Sequence, residues 1–180
     1  SWVFPVFAAF FILCFALYWL LRVLYFALHL RSGYKRTVAH EKVDWLYDLR
    51  KRNGWEKIYH LVVVPAYKEP LEVLRETFEG LRTSDYPHEK MIVVFGVEDR
   101  LGEEGRTRAQ AITREFGKDF FRFLVTVHPA NLPGEIAGKG SNETWAVKEA
   151  KREIIDPLDI PYENIIVTSL DADTVVFPKY

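Results

Sequence analysis

Apolar and polar positions divide this chain into two regimes. From Trp2 to Leu21 there is no charged residue, and from Arg31 onward charged and apolar residues intermix as in a water-exposed protein. About 20 apolar residues in a helix, at 1.5 Å each, match the roughly 30 Å hydrocarbon layer of a bilayer. A helix also satisfies its own backbone hydrogen bonds there. The pattern therefore predicts a transmembrane helix over residues 1–30, with Val23 to Leu30 continuing the span. Pro5 falls near the start, where a missing N–H costs little. Arg22 is tolerable near the end of the span, where its side chain can snorkel to the headgroups. Tyr18, Trp19 and Tyr25 suit an interface. A signal peptide would want a basic start, a shorter apolar run and a small-residue cleavage site, and none is evident. Arg31, Lys35 and Arg36 follow the span and no charge precedes it. The expectation is an integral protein of the cell membrane with its soluble domain in the cytoplasm.

Residues 31–58 read as a polar, partly helical juxtamembrane connector. Beyond it the periodicity switches repeatedly between strand and helix. His60 to Ala66, Lys90 to Val97, Arg122 to Val127 and Asn164 to Leu170 read as strands. Pro70 to Thr83, Glu103 to Phe116 and Ser141 to Ile155 read as helices, the second closed by Gly117 and the third capped by Ser141 or Asn142. Ala130 to Gly140, rich in Gly and Pro, reads as loop. Strands alternating with helices imply βαβ units around a mainly parallel sheet. Leu61-Val62-Val63-Val64 and Ile165-Ile166-Val167 are continuous apolar runs, as expected of strands buried on both faces. The fold class is α/β.

Composition narrows the functions. The chain has 180 residues, 49% hydrophobic, with a formal net charge of -1. That lacks the basic field of a nucleic-acid binder, so no nucleic-acid partner is expected. The single cysteine, Cys14, excludes an intramolecular disulfide and a cysteine-rich metal site.

In open parallel sheets ligands sit outside the carboxyl ends of the strands, so the chemistry belongs in the residues that follow each strand. Asp171 and Asp173 leave the last strand with one residue between them, a hard oxygen-rich pair suited to Mg²⁺ or Mn²⁺. Such a metal takes further ligands from phosphates and can stabilise a departing nucleoside diphosphate. Lys139, near a helix start, adds positive charge close to phosphate, and the helix dipole adds more. Taken singly these features have plain structural readings. A D-x-D pair can be a strand-end turn, Tyr67 a packing aromatic, Glu98 and Asp99 helix caps, Lys139 a solvated side chain. Arg106 and Arg108 read as a solvated helix face, and His128 as a loop or strand-end residue rather than a ligand.

Val64-Pro65-Ala66-Tyr67-Lys68-Glu69-Pro70, Gly138-Lys139-Gly140-Ser141-Asn142 and Leu170-Asp171-Ala172-Asp173-Thr174 together resemble the family 2 glycosyltransferases of GT-A fold, in the family's order, over about Tyr59 to Tyr180. The resemblance implies that residues 59–180 are the nucleotide-binding half of a Rossmann-like GT-A domain, and that the protein is a membrane-bound, metal-dependent, inverting transferase. The donor would be a nucleotide-sugar, often UDP-linked, and the acceptor an unspecified glycan or lipid. Pro65, Ala66, Tyr67 and Glu69 match the stretch that lines the nucleoside. Glu98 matches the acidic residue near the base, Lys139 the Gly-Lys segment near the nucleotide, Asp171 the first acidic residue near ribose or metal, and Asp173 the metal ligand. Where many members carry Asp-Asp-Gly-Ser, this chain has Glu98-Asp99-Arg100, which leaves Glu98 and Asp99 as alternatives. The family's catalytic base lies downstream of the D-x-D, so it is expected beyond Tyr180, and these residues alone are not expected to transfer sugar.

Two other enzyme classes fit parts of the pattern. Asp171-Ala172-Asp173-Thr174-Val175 also matches the D-x-D-x-[TV] of haloacid-dehalogenase-like phosphohydrolases, in which the first aspartate is a nucleophile. That motif normally opens its domain. Gly134 to Gly140 approaches a P-loop but is one residue short and has Gly140 where a hydroxyl is needed. A non-catalytic, membrane-tethered nucleotide-binding module is the reading that invokes no chemistry. Asn142-Glu143-Thr144 is an N-glycosylation pattern that a cytoplasmic face would leave unused.

Overall fold

The computed structural model describes residues 4–136 and 138–179. Residues 1–3 of the predicted span, Ala137 of the predicted loop and Tyr180 lie outside them. The chain divides into two compact units at Asp44/Trp45.

The first unit is a single helix, α1 (Pro5–Glu41), with Pro5 in its first turn. Its 37 residues reach about 55 Å at 1.5 Å per residue, well beyond a hydrocarbon layer. By length and composition it is the one helix among the described residues able to cross a membrane. The boundary expected near residue 30 is not a structural one. Arg31 to Glu41 contains no proline, so the backbone continues helical past the apolar stretch. Arg22 does more than extend toward headgroups. The Tyr18 hydroxyl accepts its hydrogen bond at 2.6 Å, and its guanidinium carbon lies 5.4–5.9 Å from the ring centroids of Tyr18, Trp19 and Phe26. Aromatic faces thus solvate the charge within the helix's own surface.

The second unit opens with a short helix, α2 (Trp45–Arg50), and then builds a four-stranded sheet. The strands are β1 (Tyr59–Pro65), β2 (Met91–Glu98), β3 (Arg122–His128) and β4 (Ile165–Ser169). Every pairing is parallel and the order is β3-β2-β1-β4. Between them run α3 (Leu71–Arg82), α4 (Gly102–Phe116) and α5 (Lys139–Ala150). Alternate residues of the continuous apolar strands feed two cores. Val62, Val64, Val93 and Phe95 pack with Leu74, Phe78, Ile112 and Phe116 of α3 and α4. Leu61, Val63, Ile92 and Val94 pack on the opposite face with Ala146 and Ala150 of α5. The result is a three-layer α/β/α unit.

Several boundaries depart from the sequence reading. α5 begins at Lys139 rather than at a Ser141 or Asn142 cap, because the Ser141 hydroxyl reaches back to Gly138. It accepts from the Gly138 N–H at 3.0 Å and donates to the Gly138 carbonyl at 2.7 Å. A π-helical turn, Lys151–Ile155, ends it. Gly117 keeps right-handed helical angles (φ -62°) and is not a left-handed cap. Close packing explains its glycine, since a Cβ there would lie 2.5 Å from the Thr113 carbonyl oxygen. β4 is an edge strand among the described residues, paired with β1 alone, so Ile166 and Val167 are 57% and 53% exposed.

Across the β1–β4 seam, His60 Nε2 lies 2.8 Å from Thr168 Oγ1, and its ring meets Tyr86 edge-on. Burial of this imidazole holds its pKa below the ordinary 6.5. The unfolded chain then takes up this proton first, so the linked stability is complete above pH 6.5 and declines as pH falls below it. We expect the melting temperature of wild type to drop more steeply below pH 6.5 than that of His60→Gln, and parallel curves would contradict this. From α1 we expect the chain to resist alkaline carbonate extraction from membranes, and a variant lacking residues 4–41 to be released by it.

Candidate functional site

Strand order reverses between β1 and β4, because β2 and β3 lie on one side of β1 and β4 on the other. In open parallel sheets ligands bind in a crevice outside the carboxyl ends of the strands, at such a switch point. A cleft of about 530 Å³ occupies this position. Pro65, Ala66, Tyr67 and Glu69 line it from the end of β1, Glu98 from the end of β2, Lys139 from the start of α5, and Asp171 and Asp173 from beyond β4. All eight residues singled out from the sequence border this one space.

Local bonds fix each wall. After β1 the Tyr67 N–H donates to Glu69 Oε2 at 2.6 Å, a local side-chain-to-backbone bond that ties the two residues together. Arg108 is not a solvated residue of the α4 face. Its guanidinium donates to the Glu69 carbonyl at 3.0 Å and is only 18% exposed, which ties the β1–α3 turn to α4. Beyond β4, the ladder to β1 ends with the Leu170 N–H donating to the Val63 carbonyl at 2.9 Å. Ala172 is buried, and its carbonyl accepts from the buried Thr77 hydroxyl of α3 at 2.8 Å. Burying the small residue of Asp-Ala-Asp leaves both flanking carboxylates exposed at the rim.

Asn142, read from the sequence as a candidate helix cap and glycosylation acceptor, instead joins three elements. It is 1% exposed, and its Nδ2 donates to the carbonyls of Gly96 in β2 (3.1 Å) and Ala66 after β1 (3.5 Å). The Gly96 carbonyl also accepts from the Ala66 N–H at 2.7 Å. Asn142 Oδ1 faces Gly96 so closely that a Cβ there would lie 2.7 Å away. A signal for this contact was present, since a lone glycine inside the apolar β2 run marks close approach by another group. The burial of Asn142 also removes its glycosylation pattern from use. Arg100, one of the residues that follow β2, lines the cleft as well, though the sequence assigned it no role.

The acidic alternatives at the end of β2 separate cleanly. Glu98 is 5% exposed and faces the cleft, with Arg100 as its ion-pair partner. Asp99 points to the surface and pairs with Arg106 at 3.2 Å. Lys139 bridges the rim, ion-paired with Asp171 and 3.5 Å from Glu143. The hydrogen bond to Asp171, chiefly, raises its pKa above 10.5, so it is cationic at neutral pH. Both partners of the Lys139–Asp171 pair are more than half exposed. Such a pair is worth about 0–1 kcal/mol, so a stronger ligand can readily displace it. Among the described residues no three His, Cys, Asp or Glu side chains gather as a closed metal site. Asp171 and Asp173 put two exposed carboxylates on one rim of the cleft, Asp171 ion-paired with Lys139. That donor set suits a hard cation that draws its other ligands from water or phosphate. His128 is buried and lies 3.4 Å from Glu135 outside this cleft, as a strand-end residue.

Neither the comparison with known protein families nor that with curated proteins gives a match for this chain.

The Gly96–Asn142 contact yields a stability prediction. Gly96→Ala should cost about 1–3 kcal/mol through overpacking. Gly140→Ala meets nothing within 4 Å and should be neutral or gain up to about 1 kcal/mol in its helix. Thermal melting of the detergent-solubilised variants checks both, and equal effects would contradict the contact.

Proposed function

We propose that this chain is the donor-binding part of a membrane-bound, metal-dependent glycosyltransferase of GT-A type, with a nucleotide-sugar, UDP-linked in the first instance, as its ligand. The observation that carries the reading is the convergence of Tyr67, Glu98, Lys139, Asp171 and Asp173 on one cleft at the strand-order switch point. All of those groups but Glu98 come from the three sequence segments that resemble family 2 glycosyltransferases.

The cleft divides its labour by chemistry. Tyr67 presents an aromatic face and Glu98 a buried acceptor, a pairing suited to a flat base with N–H groups to donate. Lys139 and the N-terminus of α5 present positive charge where a diphosphate would lie. Asp171 and Asp173 would hold Mg²⁺ or Mn²⁺, which would offset the charge of the departing nucleoside diphosphate. A diphosphate would take Lys139 and a divalent cation would take Asp171, and the exposed pair between them costs little to open. A glycan or lipid acceptor would approach from the solvent side. A cytoplasmic placement of the unit follows from the Arg31, Lys35 and Arg36 cluster after the apolar span.

Calorimetry of UDP binding to the detergent-solubilised chain tests the reading. Binding should require Mn²⁺ or Mg²⁺ and should weaken at least about tenfold in Asp173→Ala, the loss of one charge-assisted contact. Equal affinity with and without metal would count against it.

A further inference from the structure

Arg100 occupies an odd position for a residue at the mouth of a cleft. Its side chain turns inward and binds Glu98 with two donors, both on the same oxygen, the Nε contact at 2.7 Å. The guanidinium carbon lies 4.9 Å from the centroid of the Tyr67 ring, and Lys68 Nζ lies 5.0 Å from the same centroid. Arg100 therefore presents a flat, delocalised group with N–H donors, held against an aromatic face and bonded to a buried carboxylate. A nucleobase bearing a ring N–H, such as uracil at N3, has the same shape and donor character.

We propose that Arg100 is a built-in stand-in for the nucleobase, which the donor must displace from Tyr67 and Glu98. This rests on the nucleotide-sugar reading above and adds to it a residue that sets affinity and selects for bases with an N–H to give Glu98. The arrangement has a physical reason. Glu98 is 5% exposed, and a buried carboxylate without a partner is costly. Arg100 neutralises it while the cleft is empty. Arg100 itself is 36% exposed, so its own desolvation does not lock it in place. It also lines a small neighbouring cavity of about 90 Å³ with Glu135, which offers the displaced guanidinium room and a second carboxylate. A ligand that cannot both stack and donate leaves Arg100 in place, so the exchange discriminates between bases.

The test uses the whole detergent-solubilised chain and uridine, whose lack of phosphates removes any direct attraction to the Arg100 charge. Uridine affinity should rise about 3- to 10-fold in Arg100→Ala, as expected for a site that Arg100 otherwise leaves open about 10–30% of the time. 3-Methyluridine, which stacks but has no N3–H, should gain less. In wild type, saturating uridine should shift the Arg100 Nε–H resonance and speed its exchange, a readout that does not depend on the variant folding. If UDP binds wild type with metal but uridine affinity is unchanged or weaker in Arg100→Ala, or the Nε–H resonance does not respond, this proposal falls and the donor-binding reading stands. If wild type binds no UDP at all, both fall.

Discussion

The cleft depends on one buried carboxamide. Asn142 places its two N–H groups on the carbonyls of Ala66 and Gly96, and so fixes the start of α5 against the ends of β1 and β2. Those two strand ends carry Tyr67 and Glu98, and the start of α5 carries Lys139. Without this tie each group would sit on a separate loop with its own freedom. A buried amide is a demanding fastener, because loss of either partner leaves an unsatisfied polar group. The same demand makes it specific, and it explains the glycine at position 96, where any side chain would collide with the amide.

The fourth wall is held differently. Thr77 of α3 bonds the Ala172 carbonyl, and α3 packs under the segment beyond β4, where a Cβ on Gly80 would lie 3.1 Å from the Val176 nitrogen. Leu170, Ala172 and Val176 thus share one face of the sheet, and one core, with Leu74, Phe78 and Leu81 of α3. The acidic rim is anchored through its buried alanine while both aspartates stay in solvent. The backbone there is fixed while both carboxylates are exposed, and the exposed Lys139–Asp171 pair is a weak contact.

Much of this was legible from residue pattern alone. Continuous apolar runs such as Leu61 to Val64 marked strands buried on both faces, and the parallel sheet placed the functional residues at their carboxyl ends. What escaped the pattern depended on long-range geometry. The extension of α1 through Glu41 follows from helix continuity rather than hydrophobicity. The exposure of Ile166 and Val167 reflects the edge position of β4, which composition does not encode. The start of α5 at Lys139 depended on a hydroxyl folding back on Gly138. Arg108 looked like a surface arginine, and Arg100 had no assigned role, because only the fold reveals a carbonyl or a buried carboxylate beside them. Glu98 and Asp99, adjacent and chemically alike, were separable only by which one the strand turns inward.

The central claim is that a divalent cation and a nucleoside diphosphate share the space between Tyr67, Lys139 and the two aspartates. Paramagnetic broadening by Mn²⁺ in the presence of UDP maps that space directly. The account predicts that backbone resonances of Ala172, Asp173, Lys139 and Tyr67 broaden together with the UDP phosphorus signals. Broadening centred instead on the acidic turn around Asp156 and Glu163, with the cleft resonances untouched, would contradict it.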